Sequence, residues 1–184
     1  MKIFSVKRDQ IIILIIFLIL IFFFGIRSYF FKTNLQGAEL VEESNLLTLN
    51  WLSYNKGLAL AEKENKYVLI DFYTDSCGYC KEMDKNTYSN EEVKKILSKK
   101  FVIIRVNGES NNKVIENGKE ITERELTKLY QISGYPTTWF LQSDKNKIAP
   151  LLGYALADQF IPVLNYIGEG WYKIISFQEY LRKI

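Results

Sequence analysis

Cys77 and Cys80 are the only cysteines in this 184-residue chain, and their Cys-x-x-Cys spacing could support redox chemistry. They follow the mostly apolar run Tyr67–Tyr73, which has strand character, at the point where a helix is expected to begin. At a helix N-terminus, unpaired backbone N–H groups and the positive end of the helix dipole favour a thiolate, the nucleophile of thiol–disulfide exchange. We therefore assign Cys77 as the attacking cysteine and Cys80, one turn later, as the residue that resolves the mixed disulfide.

Metal binding is the competing chemistry for this cysteine pair. The chain contains no histidine, which excludes imidazole metal sites and histidine-based acid–base catalysis. Two cysteines three positions apart cannot complete a four-ligand zinc site within one chain. Two thiolates do suit Cu(I), so a copper-binding module is the alternative from a different functional class.

The excess positive charge of the chain lies at its N-terminus. Residues 1–32 hold five basic residues and one acidic residue, whereas the remainder holds 19 basic and 20 acidic residues. The part of the chain after residue 32 is therefore nearly neutral, and it offers no basic surface for nucleic acid.

Residues 11–26 form an uncharged run of Ile, Leu and Phe that only Gly25 interrupts. As a helix this run would be about 24 Å long, slightly short of a roughly 30 Å hydrocarbon core. The sequence that follows lacks an Ala-x-Ala-like cleavage site, which favours an uncleaved signal anchor over a cleaved signal peptide. More basic residues precede the run than follow it, which orients the N-terminus inward and the rest of the chain outside the cytoplasm.

Three segments follow from this reading: a membrane anchor at 1–32, a polar tether at 33–46, and a folded domain at 47–184. Hydrophobic periodicity divides the domain into alternating strands and helices. The predicted elements are a helix within 49–66, a strand at 67–73, a helix from Cys80 to about 86, a helix opened by a Ser89–Glu92 capping box, a strand at 101–106, a polar loop at 107–121, a helix capped by Thr122, a strand after Pro136, a hairpin into 148–152, a helix at 160–167 and a short helix capped by Ser176. A strand, a helix and a second strand in this order predict parallel pairing.

Two motifs within this order resemble the thioredoxin superfamily. Asp71-Phe72-Tyr73 through Cys80-Lys81 is similar to the family's Asp-Phe-(Trp/Tyr)-x-x-x-Cys-x-x-Cys-Lys signature. Gly134-Tyr135-Pro136-Thr137 is similar to its cis-proline loop, and Pro136 lies 56 residues after Cys80. The resemblance implies an α/β thioredoxin fold, a central mixed sheet flanked by helices, with an N-terminal transmembrane helix added in this chain.

The resemblance also implies roles for residues outside the cysteine pair. Asp71 corresponds to the buried acid that assists proton transfer at the second cysteine, since burial raises the pKa of a carboxyl towards neutrality. Arg105 stands where many thioredoxins have a lysine near that acid. Pro136 should follow a cis peptide bond and pack against the disulfide, and Tyr135 should offer backbone groups to an extended substrate.

The dipeptide between the cysteines, Gly78-Tyr79, departs from the Gly-Pro of ordinary thioredoxins. Gly-Tyr occurs in periplasmic disulfide isomerases of the DsbC kind, so an isomerase or oxidase is the alternative within the same chemistry. We expect Gly78 and Tyr79 to contact substrate together with Tyr135 and Pro136. Tyr79, Tyr135 and Trp139 could form an apolar substrate patch, although Trp139 suits the core equally well.

The C-terminal residues resemble the SoxW-type thioredoxin-like proteins, which are exported thiol reductases of bacteria; the matching positions are Leu152–Tyr154, Phe160, Leu164–Ile167 and Phe177–Leu181. Together with the apolar run at 11–26, the resemblance implies a single-pass protein of the bacterial inner membrane whose domain reduces protein disulfides in the periplasm. It further implies electrons from a membrane dithiol donor of the DsbD or CcdA kind, a monomeric state, and no cofactor or metal besides the Cys77–Cys80 disulfide.

Overall fold

A computed structural model describes residues 48–184, together with the isolated positions Phe22 and Arg27. Apart from those two positions, the expected membrane anchor and the tether lie outside the described residues. Within the described part of the chain, no helix combines the length and the apolar character needed to cross a membrane.

The described residues form six strands and six helices. The strands are β1 (Tyr67–Tyr73), β2 (Phe101–Asn107), β3 (Lys113–Glu116), β4 (Lys119–Thr122), β5 (Thr137–Leu141) and β6 (Lys147–Leu152). The helices are α1 (Tyr54–Glu64), α2 (Gly78–Met83), α3 (Glu91–Lys100), α4 (Glu123–Leu129), α5 (Ala157–Gly168) and α6 (Phe177–Leu181). A π-helical turn at Asp84–Tyr88 extends α2, and a 3₁₀ turn at Trp171–Lys173 precedes α6.

Four strands make a mixed sheet in the order β2-β1-β5-β6. Strand β1 pairs parallel with β2 and antiparallel with β5, which in turn pairs antiparallel with β6. Strand β1 is therefore an interior strand, paired along both of its edges. Its apolar composition predicts this position, because other elements cover both of its faces. The parallel pairing of β1 with β2 confirms the prediction from the strand–helix–strand order.

The core lies on both faces of this sheet, because successive side chains of a strand point to opposite sides. On the first face, Val68, Ile70 and Phe72 pack with α1 and α4. On the second face, Leu69 packs with α3 and α5. Asp71 lies two positions after Leu69 in β1, so its carboxyl group is on the second face of an otherwise apolar strand.

Several helix boundaries differ from the sequence prediction; α5, for example, begins at Ala157 and not at Phe160. Helix α1 begins at Tyr54, later than predicted, because Leu52 is drawn into extended pairing: its N–H donates to Ile103 O at 3.0 Å and its C=O accepts from Arg105 N at 3.1 Å. Helix α3 is capped by Asn90, whose side chain accepts from the N–H groups of Glu92 and Val93, and not by Ser89. The predicted capping boxes at Thr122 and Ser176 are both present.

The prediction of a polar loop at 107–121 is wrong for the second half of this segment, which contains the β3–β4 hairpin. Its turn is Asn117-Gly118, where both residues have positive φ, 51° and 75°. Asn-Gly is the preferred pair for a two-residue hairpin turn, so this signal was present in the sequence. The Asn55 side chain holds the hairpin by donating to Ile115 O at 2.7 Å and accepting from Ile115 N at 2.8 Å.

Gly57 marks the closest approach of α1 to the sheet. A Cβ at this position would lie 2.3 Å from Ile104 Cγ1 and 2.6 Å from its Cδ1, and Ile104 is fully buried. Alanine would gain up to about 1 kcal/mol of helix propensity, but overpacking a core costs about 1–3 kcal/mol. We expect Gly57→Ala to lower the free energy of unfolding by about 1 kcal/mol in chemical denaturation. The exposed neighbour is the control: Lys56→Ala should leave stability unchanged, and a Gly57→Ala protein as stable as that control would contradict the close packing.

Candidate active site

The cysteine pair lies at the carboxyl end of β1, where a short turn leads into α2. Cys77 is the residue before the helix, and its Sγ accepts a hydrogen bond from the Cys80 N–H at 3.0 Å. The two residues form a disulfide with a Cα–Cα distance of 5.3 Å. Cys77 is partly exposed, whereas Cys80 is 4% exposed. An incoming disulfide can therefore reach Cys77 more readily than Cys80.

Asp71 lies six residues before Cys77 and is 1% exposed. In the sheet register it pairs with Arg105 on β2 and with Thr138 on β5. Arg105 Nε donates to Asp71 Oδ2 at 3.0 Å, while Oδ1 has no hydrogen-bond partner among the described residues. Burial raises the pKa of Asp71 to about 6, against the opposing effect of Arg105. The predicted proximity of Arg105 to the acid is confirmed.

The Arg105 guanidinium is a permanent cation held in a mixed environment of acids and aromatic rings. Besides Asp71 it forms an ion pair with Asp84, which lies in the π-helical turn. Its Cζ lies 4.5 Å from the Trp51 ring centroid and 5.0 Å from that of Tyr73. Aromatic faces stabilise a desolvated guanidinium, which also carries its donors in a rigid plane. The cation is thus fixed in place beside Asp71.

The loop before β5 has the predicted cis peptide bond between Tyr135 and Pro136. The Pro136 carbonyl accepts from Gly153 N at 2.9 Å, and the Thr137 hydroxyl donates to Gly134 O at 2.8 Å. The Tyr135 N–H and C=O make no backbone–backbone hydrogen bond with the described residues. The backbone of Tyr135 is therefore free to pair with another chain.

The aromatic side chains around the site divide between the surface and the core. Tyr79 is 68% exposed and stacks on Tyr154, with ring centroids 6.3 Å apart. Tyr135 and Trp139 instead pack against the first core face, and Trp139 meets Tyr130 edge to face at 5.8 Å. Of the two alternatives for Trp139, the structure therefore favours core packing, and the ring beside Tyr79 is Tyr154.

Apart from Arg105, the residues that surround Asp71 were missed in the sequence. Asp84 and Tyr88 follow Cys80 by four and eight positions, which is the spacing of one helical face, so this signal was available. Trp51 and Thr138 carry no comparable local signal, because only the packing of distant segments brings them to the acid. Among the described residues, no group of three or more cysteine, aspartate or glutamate side chains could hold a metal ion.

Comparison with known sequences gives a family match and curated relatives. The model of a family described as a thioredoxin-like domain matches residues 54–168, which include both cysteines, Asp71 and Pro136. The thiol:disulfide interchange protein DsbD of Vibrio vulnificus (strain YJ016) is 31% identical over 143 residues, which are 77% of this chain and 22% of that protein. The chain thus spans about a fifth of the length of this curated relative.

Solved structures show the same architecture. A thioredoxin-fold protein from Helicobacter pylori is 26% identical with a TM-score of 0.54, covering 71% of this chain and 92% of that one. A thioredoxin from Thermus thermophilus is also 26% identical with a TM-score of 0.54, covering 65% of this chain and 86% of that one.

Proposed function

Because this chain belongs to the thioredoxin-like family and is a thiol–disulfide oxidoreductase, we propose that it reduces disulfides of proteins outside the cytoplasm. The observation that carries this proposal is the asymmetry of the cysteine pair. Cys77 is partly exposed at the start of a helix, whereas Cys80 is buried one turn later.

The reaction has two exchanges. The Cys77 thiolate attacks one sulfur of the client disulfide, forming a mixed disulfide and releasing the other client sulfur as a thiolate. Cys80 then loses its proton, and its thiolate attacks Cys77 Sγ. This second exchange forms the Cys77–Cys80 disulfide and releases the client's remaining thiol. Two electrons pass from the protein to the client, and a dithiol donor must return them before the next cycle.

Asp71 is the proposed proton acceptor for Cys80. A buried thiol has no water to take its proton, and a carboxyl whose pKa is about 6 can accept one near neutrality. Arg105 stabilises the ionised form of Asp71 and prevents burial from raising the pKa further. Both forms of the acid are therefore accessible at the pH of the reaction.

The client is proposed to bind as an extended segment across the cis-proline loop. The Tyr135 N–H and C=O can pair with the client backbone as an added strand does, with Pro136 beside it. Gly78 leaves space next to Cys77, since nothing lies within 4 Å of a Cβ built there. Tyr79, stacked on Tyr154, offers an exposed ring to apolar client side chains.

We also propose the finer assignment to a SoxW-type reductase that is a monomer anchored in the bacterial inner membrane. Its support is the apolar run at 11–26 with basic residues on both sides, which suits a single-pass anchor with the domain in the periplasm. Proteins in an oxidising compartment acquire disulfides by default, so a reductase there needs a donor of electrons. A membrane dithiol carrier of the DsbD or CcdA kind is the proposed donor.

The reduction potential of the Cys77–Cys80 pair tests the direction of electron flow. Equilibrating the full-length chain in detergent with glutathione buffers, and quantifying the two redox forms, gives this potential. A value of about −270 mV, as in thioredoxin, supports a reductase. A value of about −120 mV would support an oxidase and contradict the proposal. An intermediate value with recovery of activity in scrambled ribonuclease would favour the isomerase that Gly78-Tyr79 suggests.

A further inference from the structure

One oxygen of the Asp71 carboxyl group, on the second core face, has no hydrogen-bond partner in the sheet. Asp71 is flanked across the sheet by Arg105 and Thr138, but the guanidinium bonds only Oδ2. Oδ1 is buried and has no hydrogen-bond partner among the described residues. Burying a carboxylate oxygen without a hydrogen-bond donor costs about 1–3 kcal/mol. A donor close to this oxygen would therefore stabilise the ionised form of Asp71.

The Tyr88 hydroxyl is the group that reaches this region from the helical layer. Tyr88 is 3% exposed, and its hydroxyl lies 3.5 Å from Thr138 Oγ1. The ring is held from two sides by edge-to-face contacts, with centroids 4.9 Å from Trp51 and 5.8 Å from Phe160. The hydroxyl is therefore placed by packing, next to the residue that pairs with Asp71 in the sheet.

The π-helical turn explains how Tyr88 comes to this position. A π-helical turn is wider than an α-helical one, and such turns occur frequently at functional sites. Here the turn directs Asp84 to Arg105 and Tyr88 to Thr138, so both ends of the turn meet the row of residues that contains Asp71. The Thr87 hydroxyl fixes the turn by donating to Ala155 O at 2.6 Å.

The pKa values of Asp71 and Tyr88 each depend on the other group. Burial raises the pKa of Tyr88 well above its ordinary value, and the charge of Asp71 raises it further. In the other direction, Tyr88 opposes the rise that burial causes in the pKa of Asp71. The other charged groups that face Asp71 are Arg105, which lowers its pKa, and Asp84, which raises it.

We propose that Tyr88 is a positioning residue of the redox site. Its hydroxyl can donate a hydrogen bond to Asp71 Oδ1, the oxygen that Arg105 does not bond. When Asp71 is ionised, the hydroxyl donates to its carboxylate. When Asp71 has taken the proton of Cys80, the hydroxyl turns to the Thr138 oxygen. Tyr88 keeps its own proton throughout. The inference rests on the proposed role of Asp71 as the proton acceptor.

The test is Tyr88→Phe in the full-length chain, which keeps the ring and removes only the hydroxyl. The pKa of Asp71 is followed by carbon NMR of labelled carboxyl groups, and the pH profile of the Cys80 step is followed with a mixed disulfide formed on Cys77. We expect the pKa of Asp71 and the acid limb of the profile to move up together by about one pH unit. Thr138→Val should move both downward by a smaller amount, because it removes the oxygen that accepts the Tyr88 hydroxyl when Asp71 is protonated. It provides a second test if Tyr88→Phe folds poorly.

The matched control is Tyr54→Phe. Tyr54 is also buried, but its hydroxyl bonds Glu116 at 2.8 Å and Tyr130 at 3.2 Å on the other face of the sheet. A purely structural role for Tyr88 predicts that both variants lose stability and that neither changes the Asp71 titration, which would overturn the inference. Asp71→Asn could leave the pH profile unchanged while Tyr88→Phe still shifts the Asp71 carboxyl signal. In that case the proposed role of Asp71 fails, but the inferred hydrogen bond between Tyr88 and Asp71 stands.

Discussion

Replacing Cys77 by serine is expected to abolish disulfide reduction, while replacing Cys80 is expected to arrest the reaction after its first exchange. A serine hydroxyl is not ionised near neutral pH, so Cys77→Ser has no nucleophile for the client disulfide. Cys80→Ser keeps the exposed nucleophile and loses the thiolate that resolves the mixed disulfide. Activity is measured by insulin reduction, and trapped clients are identified by mass spectrometry of covalent adducts under non-reducing conditions.

The control for this pair is Ser76→Ala, which changes an exposed hydroxyl next to Cys77 and leaves both sulfurs in place. It should reduce insulin at the rate of the unchanged protein and trap nothing. If Cys77→Ser accumulates client adducts and Cys80→Ser does not, then the roles of the two cysteines are reversed.

Asp71→Asn is expected to slow the Cys80 step by about 100-fold or more, because general-base catalysis contributes about 10²–10⁴-fold. An amide cannot accept the proton of a buried thiol, and it leaves the Arg105 guanidinium with Asp84 as its remaining carboxylate partner. The rate of release from a Cys77 mixed disulfide, measured as a function of pH, should lose its dependence near pH 6, the pKa of Asp71. An unchanged rate and profile would show that another group or water takes the proton.

The same substitution should change how stability depends on pH. The pKa of Asp71 is raised from 3.8 to about 6 in the folded protein, so the folded state binds the proton more tightly than the unfolded state. Its contribution is therefore fully present below pH 3.8 and is lost as the pH rises to about 6. The loss is on the order of 3 kcal/mol across that window, since one pH unit corresponds to about 1.4 kcal/mol.

The comparison of Asp71→Asn with the unchanged chain isolates this contribution. Glu125, Glu169 and Glu179 have pKa values lowered by their hydrogen-bonded partners, so their contributions run in the opposite direction. They are common to both proteins and cancel in the difference. Chemical denaturation at several pH values should show a gap between the two proteins that changes steadily from pH 4 to 6, and a constant gap would contradict the raised pKa.

Features that depend on neighbouring residues were predictable from the chain alone. Strand β1 has the predicted bounds, Tyr67 to Tyr73, because a run of apolar residues is sufficient to mark a buried strand. The Thr122 and Ser176 capping boxes were predictable because a cap joins residues three positions apart. The hairpin at Asn117-Gly118 belongs to the same class, and its local signal was overlooked.

Features that depend on distant contacts were not predictable. The start of α1 at Tyr54 follows from the pairing of Leu52 with β2, some 50 residues later in the chain. Trp139 could be a surface or a core residue by composition, and its contact with Tyr130 on the first core face decided between them. In each case the deciding partner lies far away in the sequence, and only the sheet register and helix packing bring it close.

The candidate site divides along the same line. The sequence by itself determined the cysteine pair, its position before a helix, the acid on the preceding strand and the cis-proline loop, because each is a local pattern. The place of Arg105 near the acid was implied by the resemblance, and only the tertiary structure decided what else surrounds Asp71: Thr138 across β5 and Tyr88 from the π-helical turn. The physical reason is that the pKa of a buried group depends on which charges and donors the fold places within a few ångströms of it, and no local pattern records that distance.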